Sequence, residues 1–189
     1  MKTIIILCFS FTIGYSTSLA QEITKQGKGY FNLTELGYFF SRNVINQTAS
    51  GGVFNHENGA YALSLRNING FFIGNNLSLG LGLGLDGYTF NSAGSRFDNT
   101  FLLFGDVRYY LHNEKNTFFG YGDLGNSIAI ADNIAQGLFY NIGVGYKFMV
   151  ATKTGMNASL GYNHQKINHD SSNLKETYSS LALKVGLMF

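Results

Sequence analysis

From Ser180 to the last residue, two kinds of side chain alternate without a break. Leu181, Leu183, Val185, Leu187 and Phe189 occupy one edge, and Ala182, Lys184, Gly186 and Met188 the other. A period of two with one greasy edge describes a strand whose faces meet different media. The same pattern is clearest at residues 77–86, where Leu77, Leu79, Leu81, Leu83 and Leu85 alternate with Ser78, Gly80, Gly82, Gly84 and Asp86. Eight windows of this kind are predicted as strands, at 28–40, 59–72, 76–90, 99–111, 117–130, 137–150, 154–167 and 176–189. Most exceed the roughly 9–11 residues a tilted strand needs to cross a bilayer.

The connectors between windows alternate in length. Those at 74–75, 112–116 and 151–153 are tight, whereas those at 41–58, 91–98, 131–136 and 168–175 are mostly longer and rich in Asn, Ser, Gly and Asp. Short turns at one end and longer polar loops at the other are what an up-and-down antiparallel barrel in a membrane presents. Further outward sets follow: Tyr61, Leu63, Leu65; Phe101, Leu103, Val107, Tyr109; Leu124, Ile128, Ile130; Leu138, Tyr140, Ile142, Val144, Tyr146, Phe148; Met156, Ala158, Leu160, Tyr162. A soluble sandwich or cup also alternates, but no helix or second sheet follows that would cover so many greasy edges. The fold class expected is therefore all-β, an eight-stranded antiparallel transmembrane barrel. The glycines of 80–84 are expected to make room for large side chains from the opposite wall. In the first window Glu35 shares parity with Phe31, Leu33 and Phe39, so a bulge or register change is expected there.

The parity sets the interior charges. Arg66, Asp86, Asp106, Arg108, Asp123, Lys147 and Lys184 fall on inward positions, and Glu35 joins them if the bulge exists. Four acids then face four bases, and charges at membrane depth are tolerated when they pair and avoid lipid. An eight-stranded barrel has an interior only wide enough for side chains. A salt-bridged plug is thus expected in preference to an open pore.

Composition adds the targeting. Lys2, an apolar run over residues 3–15 and the small residues Ser18 and Ala20 read as a cleaved export signal over 1–20, leaving 21–189 as one barrel domain. The only cysteine, Cys8, lies within that signal, so the mature chain is expected to have no disulfide and no thiolate chemistry. The chain has 24 glycines and no proline, which suits uninterrupted ladders. A net charge of +2 without a basic block argues against a nucleic-acid partner. After the signal no apolar run reaches the length of a membrane helix, so a mature chain in a membrane must be a closed sheet there.

Three groups of residues carry possible chemistry. Gly82, Gly84 and Gly87 spell a dinucleotide fingerprint, but the leucine alternation runs straight through it and no amphipathic helix follows. His164, His169, Asp170, Ser171, Ser172, His56 and Glu57 are the nearest set for acyl transfer or hydrolysis and form no recognisable motif. The spacing of His164 and His169 fixes no shared face for a metal. No catalytic, cofactor or metal site is therefore assigned, and no cofactor is expected.

The segments GYFNLTELGYFF (29–40), FLLFGDVRYYL (101–111), FFGYGDLGNS (118–127), GLFYNIGVGYKF (137–148) and ASLGYNH (158–164) resemble those of small porin-like outer-membrane β-barrel proteins of Gram-negative envelopes. By architecture the chain also resembles OmpA/OmpX-type barrels. The resemblance implies residence in the cell outer membrane as a monomer, contact with membrane lipid and lipopolysaccharide, and a role in envelope structure or surface interaction. A narrow channel for ions or small solutes and a lipid acyl-modifying enzyme are the alternatives; an enzyme is not the reading taken. It also implies that outer-membrane assembly machinery reads the final strand through Leu187 and Phe189. The fuller form of that signal has glycine five residues before the end, where this chain has Lys184. Neither the residues nor the resemblance names a surface ligand.

Overall fold

The computed structural model describes residues 29–47, 52–56, 60–89, 97–128, 136–151, 153–169 and 174–189. The export signal expected at 1–20, with Cys8, falls outside them. The strands are β1 (Tyr30–Gln47), β2 (Val53–His56), β3 (Tyr61–Phe72), β4 (Leu77–Thr89), β5 (Phe97–Tyr110), β6 (Thr117–Ile128), β7 (Gly137–Met149), β8 (Gly155–His169) and β9 (Leu174–Met188). Each neighbour pair is antiparallel in the order β1-β3-β4-β5-β6-β7-β8-β9, and β9 returns to β1. Eight strands thus close a barrel, and β2 is a short addition that pairs only with the far end of β1.

Seven of the windows read from the sequence agree with a strand to within a residue or two at most described ends. The first does not. β1 runs on to Gln47 and pairs with β2 and β9 beyond the barrel proper, inside what the sequence reading took for a loop. Its polar composition hid it: Asn43, Asn46 and Gln47 interrupt the apolar alternation by which the other strands are read.

The expected irregularity near Glu35 is also displaced. Phe31, Leu33, Glu35 and Phe39 are all buried on one face, opposite exposed Leu36, Tyr38 and Phe40, with no break between them. The register shift falls instead between Ser41 and Asn43. Glu35 is therefore inward without a bulge, and the apolar residues sharing its parity are lumen filling, not lipid contacts.

The cross-section inverts that of a soluble protein. Leu81, Leu124 and Val144 are among the most exposed apolar side chains, at 70%, 62% and 64%, while Arg66 and Arg108 are completely buried. Across β3 to β9 the exposed apolar residues share one parity and the buried ones the other. Hydrocarbon on the outside is the medium that makes this arrangement favourable. The barrel is of the membrane-spanning kind.

The short connectors lie together at one end, closed by backbone bonds such as Ile73 N–H to Leu77 O (2.9 Å) and Val150 N–H to Thr154 O (3.0 Å). Phe189 and Asn32 exchange two backbone bonds at that same end, at 2.8 and 3.0 Å. Inside the barrel, one apolar cluster, including Phe31, Phe72, Phe119 and Met188, reaches the short-turn end. A second, with Tyr88, Ile167 and Tyr178, fills the other.

The inward glycines do make room, but for neighbouring strands and not for the far wall. Gly82 lies directly under the Phe104 ring and Gly84 beneath the Arg66 stem, each its cross-strand partner. In so narrow a cylinder inward side chains crowd together, and a large one lies across the adjacent backbone.

Candidate functional site

All eight charged residues expected inside are buried. β3 and β4 supply Arg66 and Asp86, whose Nη2 and Oδ2 are 2.7 Å apart. Arg66 Nη1 also reaches Asp123 Oδ2 on β6 at 3.3 Å. The same carboxylate oxygen takes Lys184 Nζ from β9 at 3.3 Å, and Lys184 continues to Glu35 Oε2 on β1 at 3.2 Å. Glu35 Oε1 meets Arg108 Nη1 at 3.0 Å, and Arg108 Nε meets Asp106 Oδ2 at 3.0 Å on the same strand. The result is a chain of alternating sign, Asp86, Arg66, Asp123, Lys184, Glu35, Arg108, Asp106, drawn from six strands and crossing the lumen.

Aromatic rings pack against the cations of this chain. The Arg66 guanidinium lies 5.0 Å from the Phe139 ring centroid, 5.2 Å from Phe39 and 5.6 Å from Phe104. Lys184 Nζ is 4.0 Å from the Tyr121 centroid. Ring faces carry partial negative charge, so they hold a desolvated cation where water is absent. Lys147, the eighth charge, has its Nζ 5.1 Å from the centroid of the Tyr110 ring on the short-turn side.

Neutral amides extend the network. Arg66 Nη2 donates to Asn163 Oδ1 (3.4 Å), Asn141 Nδ2 donates to the same oxygen (3.3 Å), and Asn163 Nδ2 donates to Tyr88 OH (3.0 Å). Tyr121 OH donates to Asn141 Oδ1 at 2.8 Å. The sequence reading missed these asparagines and also Glu176, a further buried acid that accepts from Tyr178 OH at 2.9 Å. Parity counted back from Lys184 through Ser180 would have found Glu176; nothing short of the register would have paired Asn141 with Asn163.

The hydrolytic candidates come out apart. His164 faces outward on β8, stacked on Tyr140 at 4.9 Å, with Nδ1 3.4 Å from Ser179 Oγ on β9. That hydroxyl already accepts from Tyr162 OH at 3.0 Å, and no carboxylate orients the ring among the described residues. A base without an orienting group falls short of a nucleophilic constellation. The side chains of His56 and His169, and Glu57, Asp170, Ser171 and Ser172 altogether, lie outside the described part. Among the described residues no group of three or more His, Cys, Asp or Glu converges as metal ligands would. At the chain end, Leu187 and Phe189 point outward beside Thr34 and Asn32 of β1.

No protein-family model and no curated protein matches the chain. Among solved structures, it is similar at 14% identity to Neisserial surface protein A, with 83% of this chain and 98% of that one covered and a TM-score of 0.47. OprG from Pseudomonas aeruginosa aligns at 12% identity over 87% and 99%, with a TM-score of 0.48. The N-terminal β-barrel domain of Pseudomonas aeruginosa OprF aligns at 18% over 86% and 99%, with a TM-score of 0.44.

Proposed function

We propose that this chain is an outer-membrane barrel with a closed lumen, serving envelope structure or surface interaction through its long-connector end. The observation that carries the reading is the alternating ion-pair chain from Asp86 to Asp106, which crosses the lumen packed among the apolar side chains of the two clusters. An open pore needs a file of water; here the largest side chains on the inward face fill the cylinder, Arg66, Arg108, Tyr88, Tyr110 and Tyr178 among them. Outside, the leucine wall meets lipid, and in the outer leaflet lipopolysaccharide. Recognition is left to the long connectors, since loops on a rigid scaffold are free to vary. The export signal expected at 1–20, and a sheet that closes on itself through β9 and β1 among the described residues, support the outer membrane as the location.

Planar-bilayer recording tests the closed lumen. The expected result is a flat baseline after insertion. Steady single-channel steps whose size changes when Asp106 or Arg108 is neutralised would overturn it in favour of a narrow channel.

A further inference from the structure

One patch of the outer wall breaks the hydrocarbon pattern. On β3 the outward residues run Leu63, Leu65, Asn67, Asn69, Phe71, with the three apolar ones exposed and two amides in their midst. Beside them on β1, Asn32 and Thr34 lie between exposed Tyr30 and Leu36. Leu81 and Leu83 of β4 flank the patch on one side, and Leu187 and Phe189 at the end of the chain on the other. Other outward polar side chains among the described residues, such as Asn126, His164 and Ser179, stand toward the long-connector ends of their strands. These four groups therefore sit within the lipid belt, where hydrocarbon offers neither donor nor acceptor.

Part of that cost is met inside the patch. Asn32 Nδ2 donates to Asn67 Oδ1 (3.1 Å) and Asn69 Oδ1 (2.9 Å). Asn67 Nδ2 donates to Asn32 Oδ1 (3.2 Å) and Thr34 Oγ1 (2.9 Å). Asn69 Nδ2 donates to Asn67 Oδ1 (3.0 Å), and Tyr30 OH donates to Asn69 Oδ1 (2.5 Å). These bonds leave an N–H of Asn69, the O–H of Thr34 and one lone pair of Asn32 Oδ1 to be met from outside the set. A partner must bring both donors and acceptors to this same depth.

We infer that this patch is a homodimer interface, with the asparagine cluster of one copy set against that of a second. The inference rests on the membrane reading above. An amide carries donor and acceptor together, so a surface built of amides complements itself. A two-fold axis along the membrane normal, passing through the patch, keeps both copies upright at equal depth and places like residues opposite one another, as an isologous contact requires. The barrel closes within each copy, so association costs no rearrangement of the sheet.

The test mixes donor- and acceptor-labelled full-length protein in phosphatidylcholine vesicles, after flotation has shown that it inserts. Wild type is expected to give energy transfer that follows the mole fraction of acceptor and survives dilution with lipid, with two chains per particle in matched-density sedimentation. Asn32→Leu/Asn67→Leu/Asn69→Leu is expected to lose the transfer while keeping the heat-dependent gel shift of a folded barrel. Asn69→Leu alone, which leaves the Asn32–Asn67–Thr34 bonds in place, is expected to weaken it, and Val144→Trp on β7 to leave it unchanged. Transfer at the level of chance encounter in wild type overturns the inference, as does transfer undiminished in the asparagine variants. Failure to float with the vesicles overturns the membrane reading instead.

Discussion

At the scale of single residues, the narrow lumen makes glycine a packing element. A Cβ on Gly82 would meet the Phe104 ring at less than contact distance, whereas one on Gly122, outside, finds nothing nearer than Val107 Cγ1 at 3.6 Å. Overpacking of this kind costs about 1–3 kcal/mol. Gly82→Ala is therefore expected to lower the urea midpoint of the barrel in detergent micelles, and Gly122→Ala to leave it near wild type. Adding Phe104→Leu to Gly82→Ala should recover part of the loss. Equal midpoints for the two glycine variants would show that the Phe104 ring yields freely. Parity alone placed the inward charges, because a strand has only two faces. It called for a bulge near Glu35, which shares parity with Phe31, Leu33 and Phe39, because this interior is partly apolar and the first strand is greasy on both sides. Hydrophobicity does not then say which face is lipid.

Elements were legible in proportion to how sharply their two media differ. β4 was readable throughout, since leucine meets lipid on one face and small or charged groups meet a crowded lumen on the other. The far end of β1 and β2 were not, for their residues show no sustained apolar alternation. The register that builds the ion-pair chain, Arg66 beside Gly84 or Asp106 beside Asp123, was also out of reach, since it depends on turn lengths and tilt. The lipid contact of β4 itself is open to test by depth. Lysine on a lipid-facing wall costs about 2–4 kcal/mol at the midplane and about 0–1 near the interface. Leu81→Lys, amid the leucine run, is expected to destabilise the barrel in lipid vesicles by the larger amount and Leu77→Lys, beside the short turn, by the smaller. A flat response along the strand would mean that something other than hydrocarbon touches it.

For the molecule as a whole, the question is whether the lumen charges act one by one or as a unit. Buried ion pairs contribute little net stability against an apolar filling, because desolvation offsets the attraction, yet stranding one member costs about 3–5 kcal/mol. Asp106 and Arg108 form the end of the chain, and removing both leaves Glu35 still paired with Lys184 at 3.2 Å. Asp106→Leu and Arg108→Met are each expected to lower the unfolding free energy in micelles by a few kcal/mol. The double variant is expected to lie near wild type, a coupling that a double-mutant cycle reads directly. Because leucine and methionine occupy comparable volume, that double variant should also keep the bilayer baseline flat. Additive losses would mean that the two charges do not stabilise one another, and the crossing chain would then be a set of neighbours in space with no common energetic role. A conducting double variant with restored stability would separate the two properties: stability would follow charge balance, and closure would depend on the guanidinium itself spanning the lumen.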